Sequence, residues 1–317
     1  MNRTAAGTLL IIHTVLTLAL QLTAMAQPSW TRWLTQSSLQ SLVSRAVLMQ
    51  GGLILLPTLL VILIDHIPAQ EVWGGRSRDG SLILAAVIGV PAAVVFHGLN
   101  NLSVYFMLRL GWQLPGPDSS AEYLARLWQQ PWTVIGVLIL IRVLAPALIE
   151  ELMFRGVILG SLGAQLAPGL AIFWQAVAFA LFHNDPFFLV SPFLAGLLLG
   201  FLRTHGGSLL PSILAHASLN LTLIVLTPLL PRLTAQYLNL PTRSTQSIFY
   251  ASLIATFLAA VALIPLLALM GRLQNKLPAR FPGSGQAAHV SLPGGLLFAL
   301  ALLVLLATIG VTYYQAV

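Results

Sequence analysis

The sequence contains no cysteine, and charge is scarce: 7% of its 317 residues are Asp, Glu, Lys or Arg. The first absence removes disulfides, cysteine nucleophiles and thiolate metal sites. The second excludes an ordinary soluble domain, in which about a quarter of the residues are charged. Lysine is nearly missing as well, with Lys276 the single example, so the net charge of +7 rests on arginine. No basic run is dense or interleaved with aromatic residues, which argues against nucleic acid as a partner. In a chain that is 57% hydrophobic, an arginine excess instead fits loops that face anionic lipid. The zinc-protease signature H-E-x-x-H is also absent.

What is present is a series of long apolar runs. A helix needs about 20 apolar residues to cross the hydrocarbon core of a bilayer. The runs at 7–26, 46–64, 81–108, 132–160, 168–184, 187–203, 208–231, 246–271 and 292–314 predict an all-α, polytopic transmembrane helix bundle of about eight to nine spans. The lipid bilayer is therefore one partner. Arg3 followed by Gly7–Leu22 and Ala24-Met25-Ala26 fits a cleaved signal peptide or an uncleaved first span, and the length favours the span.

Connections carry the punctuation. Residues 27–45 hold Pro28, Trp30, Trp33 and Arg45, as an interfacial segment would; residues 111–131 and 273–291 are rich in Pro and Gly. No repeat stands out. With nine spans and a cytoplasmic N-terminus, seven loop cations (Arg3, Arg76, Arg78, Arg203, Arg272, Lys276, Arg280) fall inside. Six (Arg32, Arg45, Arg109, Arg126, Arg232, Arg243) fall outside, so loop charge leaves the orientation open.

An ionisable side chain inside a span costs about 2.5–3.5 kcal/mol on insertion scales, so polar residues within the runs carry the functional information. The densest group is Ala147-Leu148-Ile149-Glu150-Glu151-Leu152-Met153-Phe154-Arg155. Glu151 and Arg155 are four apart and share a helix face, which predicts an ion pair. Adjacent helical residues point about 100° apart, so Glu150 faces elsewhere with no partner near in sequence. It suits a proton acceptor, and equally a structural Glu–Arg network at a helix interface. A second group, Phe179-Ala180-Leu181-Phe182-His183-Asn184-Asp185-Pro186, ends a span: His183 precedes a helix break at Pro186. In a third, His216 and Asn220 are four apart and face one direction, able to stabilise an oxyanion or to join two helices. The three groups lie on three different runs, and Glu150, His183 and His216 are spaced by 33 residues each time.

Other polar residues receive structural readings. His13 is expected to be a helix contact. His97, Asn100 and Asn101 are expected to bond between helices, Arg142 to snorkel, Asp185 to face water, and His205 to sit solvated in a turn.

The ordered set Glu150-Glu151-x-x-x-Arg155, Phe179-x-x-x-His183 and His216-x-x-x-Asn220 resembles the CPBP family of intramembrane proteases (CAAX protease and bacteriocin-processing, also called Abi). The likeness covers roughly residues 130–230. It implies N-terminal transmembrane spans at 1–130, a catalytic helical core at 131–231 and C-terminal spans at 232–317, with the site inside the bundle. It also implies an endopeptidase acting on a peptide or membrane-associated protein. Glu150 and His183 would activate water, His216 and Asn220 would stabilise the oxyanion, and Glu151 and Arg155 would support them. A glutamic-type reaction without a cofactor is favoured. A metalloprotease reading would place zinc on Glu150, His183 and His216. The expected location is the inner (plasma) membrane of a bacterial cell. Alternative readings are a non-catalytic immunity or scaffold protein on the same fold, or a proton or ion transporter. The last lacks the paired broken helices or inverted repeats that would favour it.

Overall fold

Apolar residues that cannot leave backbone groups unpaired in lipid must form helices, and the chain does so almost throughout. The computed structural model describes residues 2–36, 38–77, 80–113, 129–238, 245–274 and 292–316. Its helices are α1 (Ala5–Ala26), α2 (Pro28–Thr35), α3 (Leu39–Ile64), α4 (Ala69–Trp73), α5 (Ser81–Arg109), α6 (Trp132–Gly163), α7 (Pro168–Phe182), α8 (Val190–Gly206), α9 (Leu210–Leu238), α10 (Thr245–Gln274) and α11 (Leu292–Ala316). Most of the Pro- and Gly-rich stretches near 111–131 and 273–291 lie outside the described residues, as do Arg126, Arg243, Lys276 and Arg280.

All nine apolar runs are helical, and the protein is a multi-pass membrane bundle. Among the described residues, six helices are long and apolar enough to cross a bilayer: α1, α3, α5, α6 and the apolar parts of α10 and α11. The three that carry or adjoin the central polar groups are different. Helix α7 has 15 residues and rises only about 22 Å, short of a hydrocarbon core of about 30 Å. Helix α8 has 17 residues, and the apolar part of α9 covers Leu210–Leu226.

The local sequence explains where α7 stops. Pro168 opens it at the first turn, where a missing N–H costs nothing. After His183, Asn184 takes a left-handed conformation (φ 52°), which asparagine tolerates better than most residues, and Pro186 prevents resumption. The turn between α7 and α8 is tied down by α5. Asn100 Nδ2 donates to the Phe187 carbonyl at 2.8 Å, and the Ser191 N–H donates to Asn100 Oδ1 at 3.3 Å. Irregular backbone at membrane depth is tolerated only where protein satisfies it, and this buried amide does so.

Packing divides into two halves that meet at α6–α9. Helix α5 packs along α9 and α10 on one side; α1 packs along α11 on the other, and α7 along α8. Small residues permit the closest approaches. A side chain at Gly196 would lie 2.7 Å from the backbone of Ala176, and one at Gly89 would lie 2.6 Å from the Ala215 carbonyl. The first helix is part of the bundle: Ala6 N–H donates to Ser161 Oγ, and Gln165 Nε2 donates to the Arg3 carbonyl.

Arg203 departs from its expected place in a loop. It is 2% exposed, and its Nη2 donates to the carbonyls of Glu71 and Val72 at the C-terminal end of α4. Backbone bonds from Gly75 N–H to Gly207 O and from Leu209 N–H to Trp73 O complete that attachment. An arginine that satisfies terminal helix carbonyls belongs to the fold rather than to the loop charge. His205 also sits in the last turn of α8, its Nδ1 3.0 Å from the Phe201 carbonyl, instead of in a free turn.

Replacing Asn100 by Leu should strip two buried backbone groups of their partner. We expect a loss of about 2–4 kcal/mol, read as a lower unfolding temperature of the purified protein in detergent.

Candidate active site

The site is assembled on α6, α7 and α9. Helix α6 changes character where its charges lie. Leu140–Leu144 and Leu152–Ile158 are π-helical, and the intervening α-helical turn Ala145–Glu151 carries both carboxylates. Wide turns of this kind are frequent at functional sites. Glu151 and Arg155 are both fully buried. Arg155 Nη1 donates to Glu151 Oε1 at 2.6 Å, forming the expected i,i+4 ion pair. The guanidinium also lies over the Phe179 ring, 4.4 Å from its centroid, and its Nη2 reaches the Gly196 carbonyl at 3.4 Å. One charge is thereby shared among α6, α7 and α8.

The pair has a third member. His216 Nδ1 sits 2.9 Å from the same Glu151 Oε1. A carboxylate oxygen accepts, so Nδ1 carries a proton, and in the neutral ring Nε2 is the free nitrogen. That Nε2 faces Glu150 Oε2 at 3.9 Å. Glu150 is 6% exposed, and its other oxygen accepts a 2.9 Å hydrogen bond from Gln50 Nε2 of α3. Sequence reasoning missed Gln50. The available signal was an amide inside an otherwise apolar run, Val47-Leu48-Met49-Gln50-Gly51-Gly52-Leu53-Ile54.

His183, at the C-terminal cap of α7, donates from Nδ1 to the Phe179 carbonyl at 2.7 Å. In the neutral ring its Nε2 is likewise the unprotonated nitrogen. The rings of His183 and His216 flank Phe179, with centroids 4.9 Å and 5.9 Å away, both edge-on. Both histidines line a cavity of about 60 Å³ with Asn220, Ser191 and apolar side chains of α5, α8 and α9. That is room for a few water molecules. Asn220 lies one turn beyond His216 and faces the same space, as its spacing predicts. Glu150 does not form part of the wall; it stands behind His216.

Among the described residues no group of three His, Asp or Glu side chains is arranged to hold a metal ion. Asp185, exposed, does not orient His183; its Oδ1 accepts from the Phe187 N–H at 2.8 Å and shapes the turn. His13 makes the helix contact expected of it. Its ring lies on Phe182 at 4.2 Å, with Nδ1 3.3 Å from the Leu53 carbonyl and Nε2 3.3 Å from Thr17 Oγ1. Asn101 Nδ2 donates to Ser252 Oγ on α10.

Residues 131–222 match the family model described as Rce1-like: Type II CAAX prenyl endopeptidase Rce1-like. The matched segment is under a third of the chain. It begins beside the first residue of α6, ends within α9, and includes Glu150, Glu151, Arg155, His183, His216 and Asn220. The likeness read from the three motifs is therefore shown over the segment that carries them, and its broad implication is a CAAX-type intramembrane endopeptidase of the CPBP kind. No curated protein and no solved structure gives a significant match.

Arg155→Met leaves the Glu151 carboxylate buried without its cation. We expect about 3–5 kcal/mol of destabilisation, and a smaller loss when Glu151→Gln is added. Thermal unfolding of the single and double variants in detergent measures that coupling.

Proposed function

We propose that this chain, a membrane endopeptidase with a peptide or protein substrate, activates a water molecule in the cavity beside His183 and His216 and passes the proton to Glu150. One observation carries this reading: His183, His216 and Asn220 wall one small cavity, with the Glu150 carboxylate 3.9 Å behind the His216 Nε2. Such a constellation inside apolar helices has the parts that amide hydrolysis requires, namely a proton acceptor, a space for water and donors for a developing oxyanion.

The chemistry follows from the hydrogen-bond partners. The free Nε2 atoms of the two histidines can each accept from a cavity water and hold it. As the water oxygen bonds to the scissile carbonyl carbon, its proton moves across the His216 Nε2 to Glu150. The carbonyl oxygen becomes an oxyanion that the Asn220 side-chain amide can receive, joined by the His216 Nε2–H for as long as that ring, and not yet Glu150, holds the water's proton. Collapse of the tetrahedral centre breaks the C–N bond, and the proton held at Glu150 goes to the leaving nitrogen. Glu151 acts through His216: it fixes the tautomer and stabilises the protonated ring, while Arg155 balances the Glu151 charge. The substrate class is a peptide or protein held at the membrane, because the cavity lies among the bundle helices.

We favour a glutamic-type reaction. A zinc-dependent one would use Glu150, His183 and His216 as ligands and polarise the water instead. Elemental analysis of the purified protein separates the two. One zinc per chain, lost in His216→Ala, reverses the preference.

In proteoliposomes challenged with membrane-associated peptides, Glu150→Ala and His183→Ala should each abolish cleavage, with unfolding temperatures near that of the wild type. Normal processing by folded Glu150→Ala protein would overturn the proposal.

A further inference from the structure

The segment that matches the protease family contains no partner for the free side of Glu150; α3 provides one from 100 residues earlier in the chain. Gln50 Nε2 donates to Glu150 Oε1 at 2.9 Å, while Glu150 Oε2 is the oxygen turned toward the His216 Nε2. The bond therefore selects which oxygen faces the histidine. Gln50 reaches across because its own turn is wide. It lies inside the π-helical stretch Val47–Leu55, which packs against the Ala145–Glu151 turn of α6. Two features suggest more than a packing contact. Val47–Leu55 and Leu152–Ile158, on the two facing helices, are both π-helical, so the α-helical geometry is broken on either side of this hydrogen bond. In addition, the Gln50 amide oxygen is buried and has no hydrogen-bond partner among the described residues.

We infer that Gln50 is a positioning residue of the hydrolytic site, holding Glu150 through both of its protonation states. The inference rests on the reading of Glu150 as the proton acceptor. An amide is suited to the task because its Nε2–H₂ can donate to a carboxylate oxygen and to the carbonyl oxygen of a carboxylic acid alike. When Glu150 is a carboxylate, the Nε2–H₂ of Gln50 donates to it, as seen. When Glu150 has taken the proton on Oε2, the oxygen turned toward His216, Oε1 remains as the carbonyl oxygen and goes on accepting from the Gln50 Nε2–H₂. Neither form of Glu150 is then left unsatisfied in a site where an orphaned polar group is costly. Apolar side chains of similar size can fill the space but can serve neither state. Gln50 does not touch the water or the scissile bond, so its effect falls on the rate of proton transfer and not on substrate binding.

The test compares Gln50→Met, which keeps chain length and removes both polar atoms, with wild type and Glu150→Ala in proteoliposomes. The expected result is a kcat about 10- to 100-fold lower with KM within about twofold, at an unchanged folded fraction. A residue that merely supported packing would lower the unfolding temperature and the amount of active protein, and leave kcat per folded molecule intact. Wild-type kcat in folded Gln50→Met protein overturns the inference. Gln50→Leu serves the same comparison if the Met variant does not fold. Cleavage by Glu150→Ala at the wild-type rate would instead sink the assignment of Glu150, an outcome read from a different variant.

Discussion

The site depends on one fully buried carboxylate. Glu151 Oε1 accepts from the Arg155 guanidinium on its own helix and from the His216 ring on α9. Two charges removed from water cost several kcal/mol each, and close, well-directed hydrogen bonds must offset that cost. They do so only while α6 and α9 keep their relative position. Arg155 extends the requirement to α7 through the face of Phe179 and to α8 through the Gly196 carbonyl. Four helices are thus held in register by the need to neutralise one oxygen. The cavity beside His216 inherits its shape from that constraint.

Electrostatic support and chemistry are separated by a single residue. Glu151 is fully buried, holds both partners through Oε1 and does not line the water cavity. Glu150, about 100° around the helix, meets an amide and the edge of an imidazole. The two histidines are each fixed through Nδ1, one by a carboxylate and one by a backbone carbonyl. In the proposed reaction both therefore use Nε2, and His216 has the Glu151 carboxylate bonded to its Nδ1. That difference suits His216 to carry a transient positive charge and His183 to orient water.

Much of this was readable before any coordinates. Nine apolar runs gave nine helices, and the spacing of Glu151 and Arg155 gave their ion pair, because helical periodicity makes both local properties. The gathering of His183, His216 and Asn220 was suggested by motif order and rests on tertiary packing that spacing alone does not contain. Three features were hidden for physical reasons. Gln50 is neutral, so the cost of charge in a span does not flag it. Arg203 looked like a loop cation because its partners are backbone carbonyls, which leave no mark in a sequence. The double role of Glu151 needed the distance to His216, 65 residues away. The shortness of α7 was partly visible in Asn184 and Pro186, but the capture of its following turn by Asn100 was not.

The order of these groups along the chain bears on how the protein enters its membrane. Helix α6 has to be delivered into the bilayer with four ionisable side chains aboard, Arg142 among them, before α9 and its histidine have been made. Glu151 and Arg155 lie within one helix at hydrogen-bonding distance, so that span brings its own counter-ion and needs no later helix to become neutral. Glu150 has no such companion on α6, but its amide partner on α3 is synthesised about a hundred residues sooner and is already waiting. His216 arrives last, into a place where the charges have been settled. Biogenesis and catalysis thus make the same demand on this sequence: no carboxylate in the bundle should at any stage face hydrocarbon alone.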